Sequence, residues 1–240
     1  MDAKIEISPI NFDTFIVRVK NDMLRGNFVF RGQSSPDWGL ETSYSRFCQR
    51  HQIDFSINHF YKMLDDFIYN VSDFAGEELS NMKFEQKIAF AQHHGLYTPF
   101  LDWSVSPYVA IFFALCNDFE HEKRDATFRV WSFNIEDFIS SDPFNFENSK
   151  DITFRLIQSQ VFNSRRISRQ QGCFTFQNFK KGLEDFEEYK SNLKQYDICG
   201  DRISILKELK MMGITSGNMF DSIDSIAKDI IVDDLLRKIF

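Results

Sequence analysis

The sequence predicts an α+β domain, with a short mixed or antiparallel sheet flanked by helices. Three observations predict it. Segments with strand character are short and scattered, at residues 27–32, 126–133 and 172–176. Segments with helical spacing lie between and after them; over 58–74, Phe60, Met63, Leu64, Phe67, Ile68 and Val71 share one face. The chain also holds 28 Phe, whose rings supply the apolar area for a sizeable core. Scattered aromatics of this kind belong to a core rather than to a binding surface.

The elements follow in order. Residues 1–24 read as a lead-in, with a short helix over Phe12–Lys20 that starts near Asn11 or Asp13. Asn27-Phe28-Val29-Phe30-Arg31-Gly32 is a strand ending at a Gly turn, and Ser34-Ser35-Pro36-Asp37 has turn chemistry. After the helix at 58–74, residues 84–92 form another, ended by Gly95. Tyr97-Thr98-Pro99 favours extended backbone. Leu101-Asp102-Trp103-Ser104 is expected to turn directly into the next helix. Ser106 then caps it and Pro107 occupies its first position. That helix, residues 108–117, is almost wholly apolar and so is expected to be buried all round. Ala126–Phe133 alternates and is rich in β-formers. Residues 140–150 read as a polar loop, 152–161 fits either element type, and 178–192 reads as charged surface. Helices over 202–212 and 221–240 close the chain. With no repeat and no linker, residues 25–240 read as one compact domain.

Composition narrows the function classes. Apolar residues make up 43% and charged residues 26%, ordinary globular usage, and only 10 Gly and 5 Pro argue against a disordered chain. A net charge of -7 disfavours non-specific binding to nucleic acid phosphates, though a local basic patch remains compatible with it. Cys48, Cys116, Cys173 and Cys199 are scattered, without metal or redox spacing, as in a reducing compartment. Residues 1–15 contain acids and no apolar run, and no stretch reaches the roughly 20 residues of a membrane helix. The expectation is therefore a cytoplasmic protein with no membrane partner.

Three clusters carry candidate chemistry. Arg31 ends what should be a buried strand, and a charged guanidinium there needs an anionic or carbonyl partner. It serves either as an anion clamp, for instance on a diphosphate, or as half of a structural ion pair with an acid such as Asp102. Second, Gln92 to Ser104 crowds Gln92, His93, His94, Thr98, Asp102, Trp103 and Ser104 into what reads as a loop between two helices. Polar groups beside apolar walls suit a ligand pocket, with His93 as proton carrier and Asp102 as its orienter or as a partner for Arg31. Helix capping by Asp102 or Ser104 is the structural alternative. Adjacent His residues diverge on a helix and a third ligand is missing, so no metal is expected. Third, Arg165, Arg166 and Arg169 form the main basic cluster and fit either nucleic acid, a phosphorylated ligand or plain solvent exposure. Gln170 and Gln171 follow it and are placed to hydrogen-bond a ligand or nearby backbone.

These residues resemble the FRG domain family. Its aromatic-Arg-Gly-Gln turn matches Phe30-Arg31-Gly32-Gln33, followed by Trp38 and Arg46-Phe47. Its long central motif matches Gln92, His93, Gly95, Thr98, Leu101-Asp102-Trp103-Ser104, Pro107, Ala110 and Phe113-Ala114. An Arg then Gln-Gln-Gly-x-Phe strand matches Arg169 and Gln170 to Phe174, and Leu209, Gly213-Ile214 and Phe220-Asp221 match the C-terminal pattern. The likeness runs from about Phe28 to Ile230. It implies that 25–240 is an FRG domain with C-terminal helices.

The FRG layout is in turn similar to ADP-ribosyltransferases, which implies NAD as co-substrate and a bacterial toxin or antiphage effector as the biological setting. By that likeness Arg31 holds the diphosphate and Ser104 matches the Ser or Thr motif. His93 and Asp102 serve the chemistry, with Gln33, Trp38, Thr98, Trp103 and Gln170 around the cofactor. The Glu of those enzymes would fall near Gln170 and Gln171, and neither is acidic; Gln171 cannot take a proton or offset an oxocarbenium charge. The resemblance thus leaves two outcomes, transfer chemistry run by another acid or a nucleotide- or nucleic-acid-binding module without catalysis. A nuclease would need clustered acids, and Asp102 has no acidic companion nearby in sequence.

Overall fold

A computed structural model describes residues 8–116, 125–138, 154–158, 171–220 and 222–237. Its centre is a six-stranded sheet in the order β4-β5-β2-β1-β3-β6, with β1 Phe28–Gln33, β2 Phe100–Ser104, β3 Asp125–Asn134, β4 Phe154–Gln158, β5 Gly172–Gln177 and β6 Leu193–Asp201. Every neighbouring pair is antiparallel. The helices are α1 Phe12–Arg25, α2 Ser43–Arg50, α3 Ile57–Ser80, α4 Phe84–His93, α5 Pro107–Leu115, α6 Glu187–Lys190, α7 Arg202–Met211, α8 Ser216–Phe220 and α9 Ile223–Arg237. The expected α+β class is therefore the observed one. Among the described residues no helix is long and apolar enough to cross a membrane.

Local chemistry sets the element ends. Asn11 caps α1, its side chain accepting from Thr14 N at 2.8 Å, and Gly26 closes it at φ 76°. Thr42 caps α2 through Ser45 N, and Ser106 caps α5 with Pro107 at the first helical position. Asp229 of α9 reaches back to accept from Ser216 N and Gly217 N at 2.7 Å each, satisfying the start of α8.

Alternation divides the core. Phe28 and Phe30 of β1 pack with Phe15, Val109, Phe112 and Val130 on the side of α1 and α5. Val29 faces the other way, with Leu40, Leu101, Trp103, Trp131 and Phe133. A third cluster joins α2, α3 and α4 to Phe100, Phe174 and Phe176. On the Trp131 face of β3, Arg129 stands opposite Asp197 of β6 and holds it by two bonds of 2.6 and 2.9 Å while lying over Trp131.

The structure corrects or completes the sequence reading in five stretches. Residues 101–104 belong to a central strand rather than to a loop, while the cap is Ser106, as expected. Residues 193–201 form β6 and 43–50 form α2, neither of which was expected. The ambiguous stretch at 152–161 contains β4. The supposed charged surface at 178–192 buries Phe179, Leu183 and Tyr189. The polar loop at 140–150 lies outside the described residues.

Two contacts fix the chain on either side of the future site. At Gly32 a Cβ would stand 1.8 Å from the Ala110 carbonyl oxygen, so the backbone of α5 rides directly on β1. Further on, both carboxylate oxygens of Glu184 accept from Leu40 N, at 3.0 and 2.9 Å. A Cβ at Gly39 or Gly182 would collide with that carboxylate, at 2.2 and 2.6 Å. Burial raises the pKa of Glu184 above its ordinary 4.5, against the lowering effect of its backbone hydrogen bonds.

Gly32→Ala is expected to destabilise the fold by at least about 2 kcal/mol, because the obstacle is backbone and cannot rotate away; a denaturant midpoint unchanged from wild type would refute the contact. For Glu184 the native state holds its proton to higher pH than the unfolded chain does. Its contribution is therefore complete below pH 4.5 and is lost as pH rises through the elevated native value. Glu184→Gln is expected to remove that loss, giving a flatter stability profile above pH 4.5 in melts across the range.

Candidate functional site

The site lies where β1 and β2 part. The two strands are registered at Phe30↔Ser104, whereas β1 pairs with β3 along all of Phe28–Gln33 and β2 with β5 along all of Phe100–Ser104. Beyond the Phe30 pair the antiparallel ladder would bring Arg31 and Gly32 alongside Trp103 and Asp102. Instead the strands separate, and the Arg31 side chain spans the gap. Its Nη1 donates to the Asp102 carbonyl oxygen at 2.7 Å and stands 3.8 Å from the Asp102 carboxylate. A cavity of about 260 Å³ opens at this gap, with Arg31, Arg46, Gln92, Tyr97 and Asp102 among its walls.

A chain of hydrogen bonds orients the acid. Gln92, in the last turn of α4, donates through Nε2 to Asp102 Oδ1 at 2.7 Å. Its Oε1 accepts from the Thr98 hydroxyl, which itself accepts from Phe100 N at 3.3 Å. Thr98 is completely buried. Its backbone N–H donates to Ser43 Oγ at 2.9 Å, and its carbonyl accepts from Ser43 Oγ at 3.1 Å and from Tyr44 N at 3.1 Å. The Gln-x-x-Gly-x-x-Thr spacing follows from this geometry. Gly95 ends α4 at φ 92°, Leu96 N–H returns to the Ala91 carbonyl, and three residues later Thr98 lies under Gln92.

The electrostatics favour an anion. Burial lowers the pKa of Arg31; Asp102 opposes that shift and the neighbouring Arg46 adds to it. Burial also lowers the pKa of Arg46, with Glu41 and Asp102 acting the other way and Arg50 adding to the lowering. Both remain protonated at neutral pH. The Arg31 side chain is only 19% exposed, and its Nε is buried without a hydrogen-bond partner among the described residues. An unanswered buried donor on a cation costs roughly 1–3 kcal/mol or more, and the two guanidiniums on the cavity wall are the groups an anion there would meet.

The other expected site residues sit elsewhere. Gln33 is buried and structural, accepting from Trp131 Nε1 at 2.8 Å and donating to the Gly39 carbonyl at 2.8 Å. Trp103 is buried and donates to Thr175 Oγ1 at 3.0 Å, while Trp38 is exposed on the turn after β1; neither lies on the cavity wall. Ser104 is buried and accepts from Ser106 N at 3.1 Å in the turn into α5. His93 is exposed at the end of α4, edge-on to His94 and off the cavity wall. Gln171 has a positive φ of 49°, and its carbonyl accepts from Val105 N at 3.0 Å. It too is absent from the wall. Gln170, Arg165, Arg166 and Arg169 lie outside the described residues. Among the described residues no group of His, Cys, Asp or Glu is placed to hold a metal ion. Arg46 and Tyr97 stand on the wall without a role assigned from the sequence. Arg46 is legible there only as part of the Arg46-Phe47 motif, and Tyr97 only as a residue of extended backbone before Pro99.

Thr98→Val is expected to release Gln92 and leave its Oε1 unanswered, at a cost of about 1–2 kcal/mol in thermal melts. Thr98→Ser should restore most of it, and a Val variant as stable as wild type would contradict the network.

The model of the FRG domain family matches residues 26–123, a span that holds every wall residue of the cavity. No curated protein and no solved structure matches the chain.

Proposed function

We propose that this chain, which carries an FRG domain, binds NAD with its diphosphate on Arg31 and Arg46 and cleaves the bond between nicotinamide and ribose beside Asp102. The observation that carries the reading is one cavity walled by two guanidiniums, Arg31 and Arg46, and one carboxylate, Asp102. At about 260 Å³ the cavity falls just under the roughly 300–1,000 Å³ of drug-sized ligand pockets, so it suits one end of a dinucleotide rather than the whole.

The chemistry asked of the site is limited. The ribose C1′–N bond breaks and its electron pair leaves with nicotinamide. The positive charge left on the ribose needs a fixed negative group nearby. Asp102 is the only carboxylate among the wall residues, and Gln92 fixes its direction. Water, or the hydroxyl of an acceptor, then adds at C1′ and gives up a proton. Asp102 in this scheme takes the part that Gln171 cannot.

The test is purified protein incubated with NAD, with nicotinamide release followed by chromatography. Arg31→Ala is expected to weaken NAD binding by at least about tenfold, the order of a lost charge-assisted hydrogen bond. Asp102→Asn should slow release by about a hundredfold while NAD still binds. Unimpaired release by Asp102→Asn would remove its role. Binding without release in the wild type would favour a nucleotide-binding module that performs no chemistry.

A further inference from the structure

Three aromatic rings run outward from the core to the cavity. Tyr44 is fully buried in the cluster of α2, α3 and α4. Phe47, one turn further along α2, lies over it with the ring centroids 6.4 Å apart and the planes 24° apart. Tyr97 lies over Phe47 in turn, at 5.0 Å and 21°. The series stops there. Tyr97 is 41% exposed and lies on the cavity wall.

A stack whose last ring lies bare at a cavity differs from an ordinary surface tyrosine. A lone Tyr at the surface turns freely, and a planar ligand would have to immobilise it. Tyr97 is already held by Phe47, which is held by Tyr44 and flanked by His51 at 4.9 Å. The entropy of ordering the ring is therefore spent in folding, and stacking on it gains correspondingly more. The polar groups of the same cavity are graded in depth. Arg31, 19% exposed, lies deep, and the Asp102 side chain, 60% exposed, lies toward solvent.

We infer that Tyr97 is a stacking platform for a planar heteroaromatic ring of the ligand, which binds with its phosphate inward on Arg31 and its ring outward at the mouth. This rests on the reading of the cavity as a nucleotide site and adds the ligand's class and direction. The ligand is a nucleotide with a planar ring near the scissile end, rather than a sugar phosphate or inorganic polyphosphate. In this direction the ring lies beside Asp102 and, once cleaved, departs to solvent without passing the diphosphate.

Two probes separate the parts: inorganic pyrophosphate, which has no ring, and carba-NAD, in which carbon replaces the ribose ring oxygen so that the bond does not break. Calorimetry is run on wild type, Tyr97→Ala, Tyr97→Phe and Arg31→Ala. Tyr97→Ala is expected to weaken carba-NAD by about tenfold, the order of one ring stacked on an aromatic side chain, and to leave pyrophosphate unchanged. Retained pyrophosphate affinity also reports an intact pocket. Tyr97→Phe should bind both as wild type does, and Arg31→Ala should weaken both. Equal carba-NAD affinity in Tyr97→Ala and wild type overturns the platform while the nucleotide reading stands. Equal loss of both probes in Tyr97→Ala also overturns it. Wild type that binds neither probe overturns both the platform and the reading beneath it.

Discussion

Arg31 stands where a sheet hydrogen bond would otherwise be. At the gap between β1 and β2 its Nη1 supplies a donor to the Asp102 carbonyl, joining the strands by a side chain where the ladder has ended. A buried cation in the middle of a sheet is tolerable only if its donors are answered. The carbonyl and, more distantly, the carboxylate of Asp102 answer part of its demand; the buried Nε is left over. The neighbouring features follow from that requirement. Gly32 lets α5 press against β1 and hold the strand behind Arg31. Gln92 and Thr98 hold the acid in front of it.

The ion pair also reconciles two readings of Arg31 that the sequence leaves open. A structural bridge to Asp102 and an anion clamp need different donors, and a guanidinium has five. One donor on Nη1 makes the bridge and the guanidinium carries others, so both roles fit the same side chain. The setting matters because the chain as a whole carries a net charge of -7. Two guanidiniums at one cavity are a local reversal of that field, and clefts with low-dielectric walls concentrate such local potentials.

Much of this was legible in the residues. Helical spacing gave α3, Gly95 gave the end of α4, and Ser106-Pro107 gave the start of α5. The pairing of Arg31 with Asp102 was one of two readings that the chemistry of a buried guanidinium left open. The strand carrying Asp102 was not legible, because Asp is depleted in strands and Asp-Trp-Ser imitates a cap. The misreading fell on a residue that breaks the local rule and lines the cavity. β6 was missed for a different reason. Its nine residues include Lys194, Gln195, Asp197 and Asp201, and what holds it is the long pairing with β3. Tyr97 was invisible because its meaning lies in the rings beneath it, which sequence spacing does not bring together.

The parting of β1 and β2 has a mechanical side. It divides the sheet into two three-stranded leaves, β4-β5-β2 and β1-β3-β6, each continuous within itself and joined at Phe30↔Ser104. Such a sheet resembles a book whose spine is a single stitch. Arg31 belongs to one leaf and Asp102 to the other, with the cavity in the fold between them. Any change in the angle between the leaves is therefore felt first as a change in the reach from guanidinium to carboxylate, while the hydrogen bonds within each leaf stay as they are.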